Sequence, residues 1–225
     1  MAKQHTILFL AANPSGTDLR AIDREERAIR VELKGSGYRE RFELKSRWAA
    51  EPLDLLRELR ALKPTVVHFS GHGGRNGTHE HQSDRGPRRD IGDLGPNAGH
   101  GLYFQDRHGR AQLVSTEALE ETFGAAGASV KLIVLNACYS EAQAQALLPH
   151  VGCVVGMSGA VRDDAARSFA IGFYGGLGER EPVAAAYRQG CAALHLEGLH
   201  DSARPQLAVR PDIDAGKLVL AADPP

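Results

Sequence analysis

The chain has 225 residues, enough for one domain with a sizeable core or at most two small ones. Hydrophobic residues make up 42% and charged residues 24%, and the formal charge of −1 excludes a global field that would select nucleic acid or an anionic membrane. The apolar run at 7–12 is too short for a signal-peptide core or a membrane span, and three irregularly spaced cysteines make no disulfide framework. The sequence therefore reads as a cytoplasmic protein without a nucleic-acid or membrane partner.

Short apolar runs alternate with helical patterns, which predicts an α/β fold with a mostly parallel sheet. Residues 6–12 form a first buried strand, closed by the turn Asn13-Pro14-Ser15-Gly16. Leu19, Ile22, Ile29 and Leu33 mark one face of a helix that Gly35 ends. Phe42, Leu44 and Trp48 give a second strand, and Leu55, Leu56, Leu59 and Leu62 a helix that stops before Pro64. Residues 65–70 form the third strand, which runs into Gly71-His72-Gly73-Gly74. Residues 75–100 lack apolar periodicity and are rich in Gly, Arg, Asp and His, so they read as a flexible functional loop.

Runs at 101–104 and 111–114 flank Asp106-Arg107-His108-Gly109 and predict a hairpin. Ser115 caps a helix carrying Leu119 and Phe123, which Gly124 ends. Residues 131–137 are the next strand, and Cys138 follows directly. Ser140 and Gln143 have capping-box spacing, so a helix begins two residues after that cysteine. Residues 153–157 are a fifth strand. Asp163 can cap a helix with the stripe Phe169, Phe173 and Leu177, and a last helix carries Val183, Tyr187, Cys191 and Leu194. Residues 206–209 add a short strand before a frayed end at Pro225.

Side chains at the C-terminal ends of strands face the crevice of an open α/β sheet. If the strands before His72 and Cys138 are neighbours, those side chains stand at one edge as base and nucleophile. A helix starting at Ser140 would point its positive end toward Cys138 and favour the thiolate. Backbone N–H groups of Gly73 and Cys138 could receive a tetrahedral oxyanion. Cys153 lies inside an apolar strand and Cys191 on a helix stripe, which makes both structural.

The motif HFSGHGG at 68–74, with LNACYS at 135–140, resembles the CHAT family of caspase-like cysteine peptidases, in the clan of caspases, separases and metacaspases. So do VGMSGAVRDDAARSF at 155–169, ILFLAANP at 7–14, the strand at 42–48, and GLYF at 101–104 leading to LVSTEAL at 113–119. The match runs collinearly from about residue 5 to about residue 195. The resemblance implies a single caspase-like domain over 1–225, a three-layer α/β/α sandwich around a mostly parallel six-stranded sheet. It also implies a His72/Cys138 dyad with no cofactor and no metal. Similar bacterial proteins act as partner-activated proteases in antiphage defence or programmed cell death, cleaving targets such as a gasdermin or another protease.

Such enzymes read the residue before the scissile bond through a charged pocket near the cysteine. Asp163 matches an acidic position of the family, with Asp164 adjacent, and an acid there would select a substrate Arg or Lys. Asp163 is equally readable as a helix cap. Asn13 and Asn136 end strands at the same edge and could line the pocket, whereas an inward Arg162 would select acidic residues instead. With a basic preference, Arg85, Arg88 and Arg89 become self-processing sites.

Two rival readings stand beside this one. His68, His72, His79 and His81 could hold a metal for hydrolysis. Against that, His79-Glu80-His81 continues as Gln82-Ser83-Asp84 without the further histidine such a site needs, and His68 inside its strand reads as packing under the site. The other is a caspase-like interaction or sensor module without protease activity.

Overall fold

A computed structural model describes residues 4–14, 19–74 and 100–221. The segment 75–99, which holds His79, His81, Arg85, Arg88 and Arg89, lies outside the described residues, as does the chain end from 222.

The chain order is β1 (His5–Ala11), α1 (Leu19–Gly35), β2 (Phe42–Arg47), α2 (Pro52–Leu62), β3 (Val66–Ser70) and β4 (His72–Gly74). After the segment at 75–99 come β5 (Gly101–Gln105), β6 (Ala111–Ser115), α3 (Thr116–Ala125), β7 (Leu132–Asn136) and α4 (Glu141–Ala146). The chain continues through β8 (Cys153–Met157), α5 (Asp163–Gly178), α6 (Val183–Leu196) and β9 (Pro205–Val209).

Six strands form the main sheet in the order β2-β1-β3-β7-β8-β9. The first five are parallel, and β9 pairs antiparallel with β8 at the edge. The apolar runs at 7–12, 66–70 and 132–136 are continuous because both faces of these strands are covered. Alternate residues serve opposite layers. Ile7, Phe9, Val66, Leu132 and Val134 face α1, α5 and α6, while Leu8, Leu10, Val67, Ile133 and Leu135 face α2, α3 and α4. The result is the α/β/α sandwich with a mostly parallel six-stranded sheet.

Local chemistry sets the element ends. Glu51 and Asp54 form a capping box at the start of α2, with Pro52 at the first helical position and Lys63 in the left-handed conformation closing the helix. Ser115 Oγ accepts the Ala118 N–H at the start of α3, as its position after the hairpin predicts. That helix passes Gly124 and ends at Ala125, and the positive φ falls at Gly127. A second, three-stranded antiparallel sheet departs from the sequence expectation. The hairpin β5–β6 takes on β4, the glycine-rich stretch after β3, as its third strand.

Candidate functional site

β3 and β7 are neighbours in parallel register, with Ser70 opposite Asn136 as the last paired residues. His72 and Cys138 each follow two residues beyond that pair, so the topology delivers both to one edge of the sheet. The two exits touch. Gly71 N–H donates to Asn136 O at 3.3 Å. A Cβ added to Gly73 would lie 2.0 Å from the Cys138 carbonyl oxygen, so only glycine lets these backbones approach so closely. His72 is held from its other side because β4 pairs it with Tyr103 of β5.

Cys138 is half-buried. Its Sγ accepts from Val161 N–H at 3.4 Å and lies 3.7 Å from Val161 O. Burial pushes the thiol above its ordinary pKa, and the negative charges of Asp163 and Asp201 add to that. Hydrogen bonding from the Val161 backbone opposes the shift without cancelling it. Burial is the largest of these influences on Cys138, and little at the start of α4 works against it. α4 is only six residues long, and the Ser140 hydroxyl makes no cap bond. It donates instead to Leu135 O at 3.0 Å and accepts Met157 N–H at 2.9 Å, tying β7 to β8. Gln143, the other half of the expected capping box, is buried with its amide 3.0 Å from the Thr116 hydroxyl. Tyr139, directly after the cysteine, has φ of +56°, a strained conformation for a bulky residue that turns the chain sharply into α4.

The remaining sequence candidates divide. Asp163 is the first residue of α5 rather than its cap, which is Arg162, and its exposed carboxylate acts electrostatically on Cys138. Asp164 accepts Ala165 N–H at 2.8 Å and pairs with Arg162 at 3.2 Å. Arg162 also pairs with Asp201 at 3.4 Å, so its charge is met by two carboxylates. Asp201 is a member of this neighbourhood that the sequence did not reveal. It lies in a short 3-10 turn after α6 (His200–Ala203), in a stretch with no motif, and only the return of the chain to β9 brings it here. Asn13 is half-buried after β1.

Asn136 is buried. Its amide donates to Glu25 and to Ala166 O at 3.1 Å. His68 lies in the same buried cluster, with Nε2 2.8 Å from Glu25 and Nδ1 3.0 Å from the Tyr174 hydroxyl, its ring stacked on Phe9. Both ring nitrogens are occupied, so the packing role expected for His68 holds. His79 and His81 lie outside the described residues. Cys153 sits in the core with its pKa pushed up to about 11 by burial, and Cys191 packs beside Tyr187.

Strand order, the two helical layers and the edge from which β3 and β7 release their loops define the caspase-like α/β class. Among solved structures, the chain is similar to a secreted C11 cysteine protease from Bacteroides thetaiotaomicron in complex with an irreversible peptide inhibitor. The TM-score is 0.60 at 13% identity, over 87% of this chain and 60% of that one. The chain belongs to the CHAT domain family, whose profile matches residues 2–206. Comparison of the sequence with curated proteins finds no match. Among the described residues no helix is long and apolar enough to cross a membrane.

Proposed function

We propose that this protein is a cysteine endopeptidase in which His72 is the base and Cys138 the nucleophile. The observation that carries the reading is the shared exit of the two loops from the Ser70–Asn136 pair, with Gly73 packed on the Cys138 carbonyl. Membership of the CHAT domain family and the likeness to a C11 cysteine protease support it.

In the proposed reaction His72 takes the Cys138 proton as sulfur attacks the scissile carbonyl. The carbonyl oxygen becomes an oxyanion facing the backbone N–H groups of Gly73 and Cys138. Collapse breaks the C–N bond, the amine leaves with the proton from His72, and a thioester remains. Water, deprotonated by His72, then releases the acid and restores the thiol. Burial and the carboxylates of Asp163 and Asp201 hold the Cys138 thiol above its ordinary pKa, which supports the proposal that a partner switches the enzyme on. Cleavage after Arg or Lys is the preference that the Asp163 carboxylate beside Cys138 supports. The resemblance to defence and cell-death proteases extends the proposal to a cytoplasmic enzyme acting on a protein substrate, such as a gasdermin or another protease.

The test is cleavage of a peptide library by the intact protein, with its genomic neighbours supplied. Cys138→Ala and His72→Ala are each expected to lower cleavage by at least about a thousandfold, as removal of one member of a catalytic unit does. Activity that survives Cys138→Ala overturns the reading. Asp163→Ala is expected to flatten the preference for a basic residue before the cut, and an unchanged profile removes Asp163 from specificity.

A further inference from the structure

Beneath the paired strand ends lies a buried polar cluster that the chemistry above does not use. Glu25 of α1 is 4% exposed and stands within a core of apolar side chains. One oxygen, Oε2, accepts the Ser70 hydroxyl at 2.6 Å. The other, Oε1, meets His68 Nε2 at 2.8 Å and also accepts the Asn136 amide. Tyr174 of α5 closes the chain on His68 Nδ1 at 3.0 Å. Both ring nitrogens of His68 are thus engaged within the cluster.

Burial alone would drive the Glu25 carboxyl toward its neutral form. The charge of His68 and the hydrogen bonds from His68, Ser70 and Asn136 outweigh it and hold the carboxyl below its ordinary range. A buried charge is no economical way to stabilise a fold, since well-packed apolar groups of the same size do as well or better. What the carboxylate does that an apolar group cannot is grip two particular residues. Ser70 ends β3 two residues before His72, and Asn136 ends β7 two residues before Cys138. One carboxylate therefore bridges the last residues of the two strands from which base and nucleophile emerge.

We infer that Glu25 is a positioning residue for the dyad. It clamps the ends of β3 and β7 so that His72 and Cys138 keep a fixed offset, and His68 and Tyr174 in turn hold the carboxylate. The inference rests on the proposed dyad, and the experiment separates the two. Alkylation of Cys138 by iodoacetamide is followed by mass spectrometry of its peptide, across pH, in the intact protein with its genomic neighbours supplied. In the wild type, His72→Ala is expected to slow alkylation near neutral pH by about tenfold and to leave the pH profile of an isolated thiol.

In a Glu25→Gln background the same His72→Ala change is expected to have less than about a threefold effect, and Glu25→Gln alone to give the isolated-thiol profile. Should that variant fail to fold, Ser70→Ala removes one arm of the clamp while leaving His68, Tyr174 and Asn136 on the carboxylate. It is expected to weaken the His72 effect in the same direction. A Glu25 with a purely structural role lowers the unfolding midpoint while the His72 factor and pH profile stay as in the wild type, and that result overturns the inference. Absence of any His72 effect in the wild type removes the dyad itself, and the positioning role with it.

Discussion

Gly73 is fixed by contact rather than by torsion. Its Cα faces the Cys138 carbonyl so closely that an added methyl would sit 2.0 Å from that oxygen, a backbone atom with no rotamer to yield. Gly73→Ala must therefore push β4 away from the β7 exit and carry His72 with it. A displacement near 1 Å at a reacting centre costs about a hundredfold in rate. Gly73→Ala is accordingly expected to lose at least that much in kcat/KM, and a variant with wild-type kinetics would show that the contact does not set the site. The motif made Gly73 legible as a glycine beside a histidine, whereas the partner of its contact is a fact of strand pairing. Glu25 was legible in a different way. It falls between Ile22 and Ile29 on the inward stripe of α1, and an acid on that stripe signals a buried partner without naming it. Asp201 carried no signal at all.

At the scale of elements, the periodic segments were the easiest to read, and the junctions the hardest. The stripes of α1, α5 and α6 and the continuous apolar runs of β1, β3 and β7 follow directly from burial on one side or both. The Ser140–Gln143 spacing placed the start of α4 correctly, with Ser140 at the cap position, but not the cap bonds, because the hydroxyl stitches β7 to β8 instead. β4 was hidden because two of its three residues are glycine, with no side chain to show a strand pattern.

Packing of α5 on α6 depends on another feature that periodicity misses. Gly172 lies against the backbone of α6, where a Cβ would come within 2.4 Å of Gln189 O, and Gly190 faces Phe169 in return. Gly172→Ala gains helix propensity yet must part the two helices. Overpacking of this kind costs about 1–3 kcal/mol, more than the propensity returns. The expected result is a lower denaturant midpoint with an unchanged m-value, and a midpoint equal to or above the wild type would mean that the interface absorbs the methyl.

For the whole molecule, the arrangement of the sheet explains why one buried carboxylate matters to distant segments. Glu25 joins α1 to β3 and β7 directly and to α5 through His68 and Tyr174, so one helical layer is tied to the middle of the sheet. This couples global stability to pH in a defined direction. In the folded protein the Glu25 carboxyl titrates below its ordinary range, because His68 and the hydrogen bonds outweigh burial. The unfolded chain binds that proton first as pH falls. Its contribution is therefore complete above the unfolded value and is lost as pH drops through the folded one. Urea unfolding of the wild type is expected to weaken more steeply than that of Glu25→Gln between roughly pH 5 and pH 3, the window below the ordinary carboxylate value. Asp54, also held down by hydrogen bonds from Arg47, the Glu51 backbone and Arg57 against its burial, is common to both proteins and drops out of the comparison. The two stability curves should converge toward acid because the glutamine variant has no charge to lose at this position. Parallel curves across that window would mean that Glu25 ionises alike in the folded and unfolded chains, and the bridge between the strand ends would then lack the charge that holds it.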